Sequence, residues 1–373
     1  MLRFLTAGES HGKGLVAILE GYPAGVDISI EKINYELLRR QVGYGRGGRM
    51  KIERDKAEIL SGVKDGVSFG APVAIFIKNK DYSIDRMPPI ISPRPGHADL
   101  AGGMKYNLKD FRLILERASA RETASRVAVG SICKQFLEEF KISIFSHVIQ
   151  IGSVKTAKKL GWSKIHDLAE KSLLRCADEE VEREMIKLID KAKNNKDSLG
   201  GVFEVIARNV PEGCGSYVQW DRRLDGLIAQ AVMSIPAVKA VEVGEGVQNA
   251  SCFGSNVHDE IYYQKAKGFY RKTNRAGGLE AGVTNGEPLV IRGYMKPIAT
   301  LSRPLSSVNV ISKKISKASK ERADICAVPA AGVIAENMIA FVLMNSFLDK
   351  FGVDNLADIK KNYRNYIKRL EKY

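Results

Sequence analysis

Arg117-Ala118-Ser119-Ala120-Arg121-Glu122-Thr123-Ala124-Ser125-Arg126-Val127-Ala128-Val129-Gly130 is the stretch on which the architecture turns. Ser119 followed three residues later by Glu122, ahead of an apolar-periodic run, is the pattern of a capping box. It predicts a helix opening at Ala120. Ala120, Ala124, Val127, Ile132 and Phe136 then recur near one face as far as Phe140, so one side of this helix is buried. Its first turn presents free N–H groups and the positive end of the dipole, with Arg117 and Arg121 beside them. That is a ready phosphate site. A plain capped helix with two surface arginines would use the same residues.

Reading outward, strand-like runs recur at Leu15–Leu19, Val73–Lys78, Ile142–Val154, Val202–Val210, Ala240–Val243 and Leu289–Arg292. Helical patterns alternate with them at Glu31–Arg40, Trp220–Ile235 and Ala330–Phe351, the last mostly apolar and therefore buried. The highly charged Ala177–Lys196 reads as an exposed insertion. No repeat, linker or composition break divides the chain. We expect one α+β unit over residues 1–373, with a charged helical insertion near 155–198, a basic helix at 355–373 and long functional loops at 39–54, 79–107 and 244–286.

Composition narrows the classes. Of the 373 residues 45% are hydrophobic and 27% charged, which suits a globular enzyme and excludes disorder. The longest apolar stretch, Met338–Met344, falls short of a membrane span. Five cysteines without a C-x-x-C or Cys/His spacing argue against zinc and against a disulfide framework. With no signal-peptide pattern at the N-terminus, a cytoplasmic protein with free thiols is expected.

The formal charge of +15 raises the question of nucleic acid. Part of it lies in the tail from Lys360 to Tyr373, which has six Lys/Arg and one Glu. Another part concentrates in Arg39, Arg40, Arg46, Arg49, Lys51 and Arg54, interrupted by glycines and one acid, Glu53, without the interleaved aromatics of a stacking surface. Loop-borne arginines of this kind suit a compact anion better than a long phosphate backbone. Neither nucleic acid nor membrane is expected as a partner.

Two motifs mislead. Gly8-Glu9-Ser10-His11-Gly12 is a literal G-x-S-x-G, yet the run after it reads as strand, whereas a hydrolase nucleophile elbow needs a helix there. Gly43-Tyr44-Gly45-Arg46-Gly47-Gly48 satisfies G-x-G-x-x-G, but a helix precedes it where a dinucleotide fold needs a strand. Its glycines instead let Arg46 and Arg49 converge on an anion.

His11 and His97 are the two of five histidines that stand in Gly-rich polar segments, where a ring titrating near neutrality can move protons. His147 reads as packed in an apolar strand, His166 as surface, and His258 is ambiguous. Arg322-Ala323-Asp324, shortly before Pro329, suits the first turn of the final helix. There Asp324 could be a base or half of an exposed ion pair. Lys296-Pro297-Ile298-Ala299-Thr300 follows a strand and could contact a phosphate or a ring.

Taken together, GESHG with Leu19-Glu20-Gly21-Tyr22-Pro23, RRQVGYGRGGRM, RPGHAD, RASARETASRVAVG, SNVHDE, MKPIATL and RADICAVPAAGVIAE resemble, in order and along nearly the whole chain, the signatures of chorismate synthase. The resemblance implies a β-α-β sandwich protomer, a homotetramer, and a 1,4-anti elimination of phosphate from 5-enolpyruvylshikimate 3-phosphate. It also implies reduced FMN, with NADPH or an external flavin reductase as its source of electrons. By that resemblance His11 protonates or balances charge on the reduced flavin, His97 protonates the departing phosphate, and Asp324 is the base acting through flavin N5. Ser10, Arg40, Arg46, Arg49 and Arg121 match substrate ligands, and Arg40 and Arg46 also match positions given to NADP. Arg117, Ala118, Ser119, Ala237, Ala281, Lys296, Pro297, Ile298, Ala299, Thr300 and Arg322 match the flavin contacts. The chain departs from the family pattern at Pro236, where Asn is usual, at Ala118 and Ala281, where Ser and Gly are frequent, and at Gly246-Val247-Gln248-Asn249.

Overall fold

The computed structural model describes residues 1–47, 53–158, 160–265 and 268–373. One sheet runs in the order β1 (Arg3–Gly8), β2 (Gly14–Glu20), β4 (Val73–Lys78), β3 (Ala57–Ser61), each neighbour antiparallel. Strict alternation in β2 and β4 buries Leu15, Ala17, Leu19, Val73, Ile75 and Ile77 on one face. A second antiparallel sheet runs β8 (Val238–Val243), β9 (Leu289–Met295), β7 (Gly201–Arg208), β5 (Ser143–Ile151), β6 (Val154–Lys155).

Between the sheets lie α1 (Ile30–Gln41), α4 (Thr123–Glu138) and α8 (Val328–Phe351). Sheet, helices, sheet: the layers are those expected. Two glycines set the spacing of the middle layer. A Cβ on Gly130 would stand 2.4 Å from Asn337, so α4 and α8 cross nearly backbone to backbone. A Cβ on Gly332 would stand 2.9 Å from Ser146 Oγ, which lets α8 lie down on β5. By length and composition α8 could cross a bilayer, but 83% of its most apolar window is buried inside the protein.

The middle layer also holds an ionic cluster. Glu336 on α8 is fully buried; Arg39 Nη1 and Lys134 Nζ lie 2.7 and 2.8 Å from its carboxylate, and Ser146 Oγ donates to it at 2.6 Å. Arg175 stands 3.4 Å away and pairs with Glu170 at 2.6 Å. Burial alone would raise both carboxyls, but these cations bring Glu336 well below the ordinary range and Glu170 down to about 2.

Several boundaries differ from the sequence reading. The single run expected over Ile142–Val154 turns back at Gly152, whose φ is +53°, so β5 and β6 form a hairpin. The run expected over Trp220–Ile235 is α7 (Leu224–Met233) after a 3-10 turn, and the charged segment carries α5 (Trp162–Lys171) and α6 (Glu179–Asn194), which is not simply exposed. Met185, Ile189 and Ala192 enter the core, and Tyr44 donates to Asp190 at 2.7 Å. The 79–107 loop contains α2 (Asp99–Tyr106), followed by α3 (Arg112–Arg117). The basic tail is α9 (Leu356–Leu370), capped by Asn355, with Tyr363 and Tyr366 against Phe351.

Candidate active site

GESHG is the turn between antiparallel β1 and β2, so strand, turn and strand replace the strand, turn and helix of a hydrolase elbow. Asn79, just past β4, holds this turn. Its Nδ2 donates to the carbonyls of Glu9, Ser10 and Gly12 at 3.1, 3.2 and 2.8 Å. From the other side comes Glu116 of α3. His11 Nδ1 lies 3.0 and 2.9 Å from its two oxygens, and the His11 backbone N–H donates to it at 2.7 Å. His11 Nε2 points toward Asp81 at 3.8 Å, and Asp81 in turn accepts from Arg322 Nη2 at 3.0 Å.

The capping box is only half made. Ser119 Oγ accepts from the Arg121 amide, one residue earlier than the pattern predicts, and donates to Ser10 Oγ at 3.2 Å. Glu122 does not reach back: it accepts from Thr6 at 2.7 Å and pairs with Arg126. The reason is a 3-10 turn, Ala120–Glu122, that tightens the entry before α4 begins at Thr123.

That turn drops Arg121 into the interior. Its Nε donates to Asn79 Oδ1 at 2.9 Å, and its Nη1 lies 2.5 Å from Asp55. Arg40, in the last turn of α1, meets the other oxygen of Asp55 at 2.8 Å. Burial would raise the Asp55 carboxyl, but Arg40 and Arg121 hold it below its ordinary value. Desolvation, partly offset by Asp55 and aggravated by Arg121, lowers Arg40. Two buried guanidiniums share one carboxylate, and among the described residues Arg40 Nε and Arg121 Nη2 are buried without a hydrogen-bond partner. Such donors are costly unless an anion reaches them.

His97 belongs to a second group. Its Nδ1 lies 2.5 Å from Asp99 Oδ1, and Arg94 clamps the same carboxylate through Nε and Nη2 at 2.9 and 3.0 Å. Burial would raise Asp99, but hydrogen bonds from His97 and Arg94 bring it far below the carboxylate range. Arg94 Nη1 continues to Thr300 Oγ1 at 2.6 Å, and Lys296 Nζ donates to the Gly96 carbonyl at 2.6 Å. The 296–300 loop is therefore fastened directly to the His97 loop. Ala237 joins it: its carbonyl accepts from the Lys296 amide at 2.9 Å, while its φ of +67° is one an alanine rarely adopts.

Asp324 precedes α8 rather than sitting in its first turn, because the helix opens at Val328. Its oxygens take Arg46 Nη1 at 2.7 Å and the Gly47 amide at 2.6 Å, so it closes the glycine–arginine loop onto the segment before α8. Leu199 joins the groups: its amide donates to Ile325 at 2.8 Å, while the neighbouring Ser198 Oγ donates to Ile298 at 2.8 Å. Arg112 ties in the 320s as well, pairing with Glu321 at 2.9 Å.

The structure thus gathers Ser10, His11, Arg40, Arg121, Arg117, Ala118 and Ser119 around one turn, and links them through Asp81–Arg322 to Asp324 and Arg46. It places His97, Ala237 and Lys296–Thr300 together. Arg117 is already engaged, donating to the Thr6 and Gly8 carbonyls at 2.9 and 3.1 Å. Among the described residues, Ala281 is not drawn in. It sits with φ +50° in the Leu279–Thr284 hairpin, whose Gly282 lies against Arg223 and Ser216. Arg49 lies outside the described residues. His147 is packed as expected, 2.9 Å from Glu204, and His166 is exposed. Sequence reading missed Asn79, Glu116 and Asp55, none of which carries a local signal. Arg94 and Asp99 could have been found as the residues flanking His97.

The sequence profile described as chorismate synthase matches residues 2–348. Chorismate synthase of Sulfurihydrogenibium sp. is 55% identical to this chain, covering 100% of it and 98% of the relative. That of Aquifex aeolicus is 53% identical, covering 100% and 99%. A crystal structure of chorismate synthase superposes with a TM-score of 0.83 at 47% identity, covering 100% of this chain and 99% of the other. Motifs, layers and likeness over the full length agree, and the chain belongs to the chorismate synthase family.

Proposed function

We propose that this chain converts 5-enolpyruvylshikimate 3-phosphate to chorismate and inorganic phosphate by 1,4-anti elimination, with reduced FMN as cofactor. The observation that carries the reading is the pair of orphaned donors, Arg40 Nε and Arg121 Nη2, beside a carboxylate that neutralises only one of their two charges. The substrate brings two carboxylates and a phosphate, the chemistry those donors lack. Arg46, held by Asp324 and set in the glycine loop, is the third cation for the same anion, and Ser10, joined to Ser119, adds a hydroxyl.

The residues present fit a flavin. Ser119, Arg322 and the Lys296–Thr300 loop offer the polar and cationic groups, and Ala118, Ala237 and Ala299 the small side chains, that a phosphorylated flat ring needs. When bound, reduced flavin would lend and recover the electron that lets phosphate leave and a C–H of low acidity break. The protein's own part is binding and proton traffic. His97, in its charged form, keeps one proton at Nδ1 on Asp99 and gives the other, from Nε2, to the departing phosphate. His11 serves the ring side. Asp324, which an incoming anion would free by drawing Arg46 away, would be the base that receives the substrate proton by way of the flavin. The preorganised guanidiniums of Arg40 and Arg121 stabilise the leaving phosphate without reorganising.

NADPH as reductant at Arg40 and Arg46, an external flavin reductase as its alternative, a homotetrameric assembly and a cytoplasmic setting complete the proposal. In the test, enzyme, chemically reduced FMN and substrate are mixed without oxygen and phosphate is followed. Phosphate release dependent on both flavin and enzyme is expected. Folded protein that releases none above the enzyme-free control would sink the reading. Whether NADPH alone bleaches protein-bound FMN under the same conditions separates the two sources of electrons.

A further inference from the structure

Glu116 has no exposed side-chain surface, and it touches the GESHG turn three times. Its carbonyl accepts from the Ser10 amide at 3.0 Å, one carboxylate oxygen accepts from the His11 amide at 2.7 Å, and both oxygens stand within 3.0 Å of His11 Nδ1. The groups facing this pair are few. Arg112 Nη1 lies 3.8 Å from Glu116 Oε1, and on the far side of the ring Asp81 lies 3.8 Å from Nε2 with Arg322 upon it. An ionised carboxylate only accepts, and which imidazole nitrogen is protonated follows the bond the other partner demands.

We propose that Glu116 is a positioning residue that keeps a proton on His11 Nδ1, so that Nε2 is the nitrogen presented to the Asp81 and Arg322 side. The inference rests on the reading of His11 given above for the flavin side of the site. It adds which atom moves the proton and what orients it. A neutral ring then accepts at Nε2, and a charged ring donates there. In both states Nδ1 stays committed to Glu116, and the bond from the His11 amide holds that carboxylate beside the ring.

The test reads the ring in flavin-free protein, so it does not depend on turnover. Ring nitrogen-15 spectra are recorded at a pH where the ring is neutral, with the His11 signal assigned by its loss in His11→Gln. A protonated Nδ1 and a bare Nε2 are expected in the unaltered chain. In Glu116→Leu the balance moves to a protonated Nε2, and turnover falls by about 10²-fold, the scale of lost acid–base help. A protonated Nε2 in the unaltered chain overturns the proposal, and this spectrum decides even if the leucine variant does not fold. A folded Glu116→Leu that keeps the proton on Nδ1 overturns it equally. The expected spectra with undiminished turnover would instead defeat the part given to His11 in the reaction.

Discussion

Arg40 and Arg121, from two different helical segments, meet on the two oxygens of one buried carboxylate, at 2.8 and 2.5 Å from Asp55. The relation leaves one positive charge in excess inside the protein. That excess is unfavourable for the empty fold and favourable for an incoming anion, so stability and affinity oppose each other at this point.

Asp55→Ala should therefore destabilise the protein by about 3–5 kcal/mol, the cost of leaving buried charges unpaired. Inorganic phosphate should recover part of the loss, and more in the variant than in the parent. Thermal unfolding with and without phosphate measures both. An equal gain in the two proteins would refute the account. The pH dependence has a definite sign. Because the folded-state value of Asp55 is depressed, its contribution is present above the ordinary carboxyl value of 3.8 and is lost as pH falls through the lower folded value.

Arg121→Lys keeps the charge but cannot reach Asn79 and Asp55 together while offering a donor to a ligand. Losing a charge-assisted bond of about 1.5–3 kcal/mol predicts a kcat/KM lower by roughly 10- to 150-fold. Most of that should lie in KM if the contact is made equally in ground and transition states. Steady-state kinetics on both proteins checks the division.

How far the sequence spoke can be judged from His11 and Glu116. The histidine was legible because its residue type is rare and its surroundings are glycine-rich. Glu116 was not: a glutamate in an arginine-rich run reads as a solvated face until β1 and β2 fold their turn onto α3. Asn79 and Asp55 were hidden for the same reason, since their partners come from remote segments. Helix α2 escaped because Gly102 and Gly103 weaken local helix propensity. The structure needs them, since a Cβ would come within 2.6 Å of Ile114 or 2.3 Å of Phe111, where α2 rests on α3 and the residue before it. The long elements were readable by contrast, α4 from its spacing and α8 from its apolar run, because their burial decides their composition.

The ionic cluster on α8 answers a different question, that of acid stability. Glu336→Gln leaves Arg39, Lys134 and Arg175 with one carboxylate fewer, and a loss of about 3 kcal/mol or more is expected in urea unfolding. Glu336 and Glu170 both have depressed folded-state values, so their contribution is complete above the ordinary value of 4.5 and fades toward about 2, where Glu170 titrates. The parent should lose stability steeply between those limits, and the variant less steeply. Parallel acid unfolding curves would contradict the assignment.

The crossing at Gly130 gives the last expectation. An added methyl would stand 2.4 Å from both Cβ and the carbonyl oxygen of Asn337, and neither is the far end of a flexible side chain. Relief requires α4 to move away from α8, and α4 carries at its start the 3-10 turn that aims Arg121 at Asp55. Gly130→Ala should cost about 1–3 kcal/mol of stability by overpacking. In the protein that remains folded it should also raise KM, because the guanidinium is displaced with its helix. A control at Gly161, where nothing lies within 4 Å of an added Cβ, should leave KM unchanged. If Gly130→Ala loses stability while KM stays at the parent value, the helix crossing and the anion site are mechanically independent, and Arg121 is positioned by its own hydrogen bonds alone.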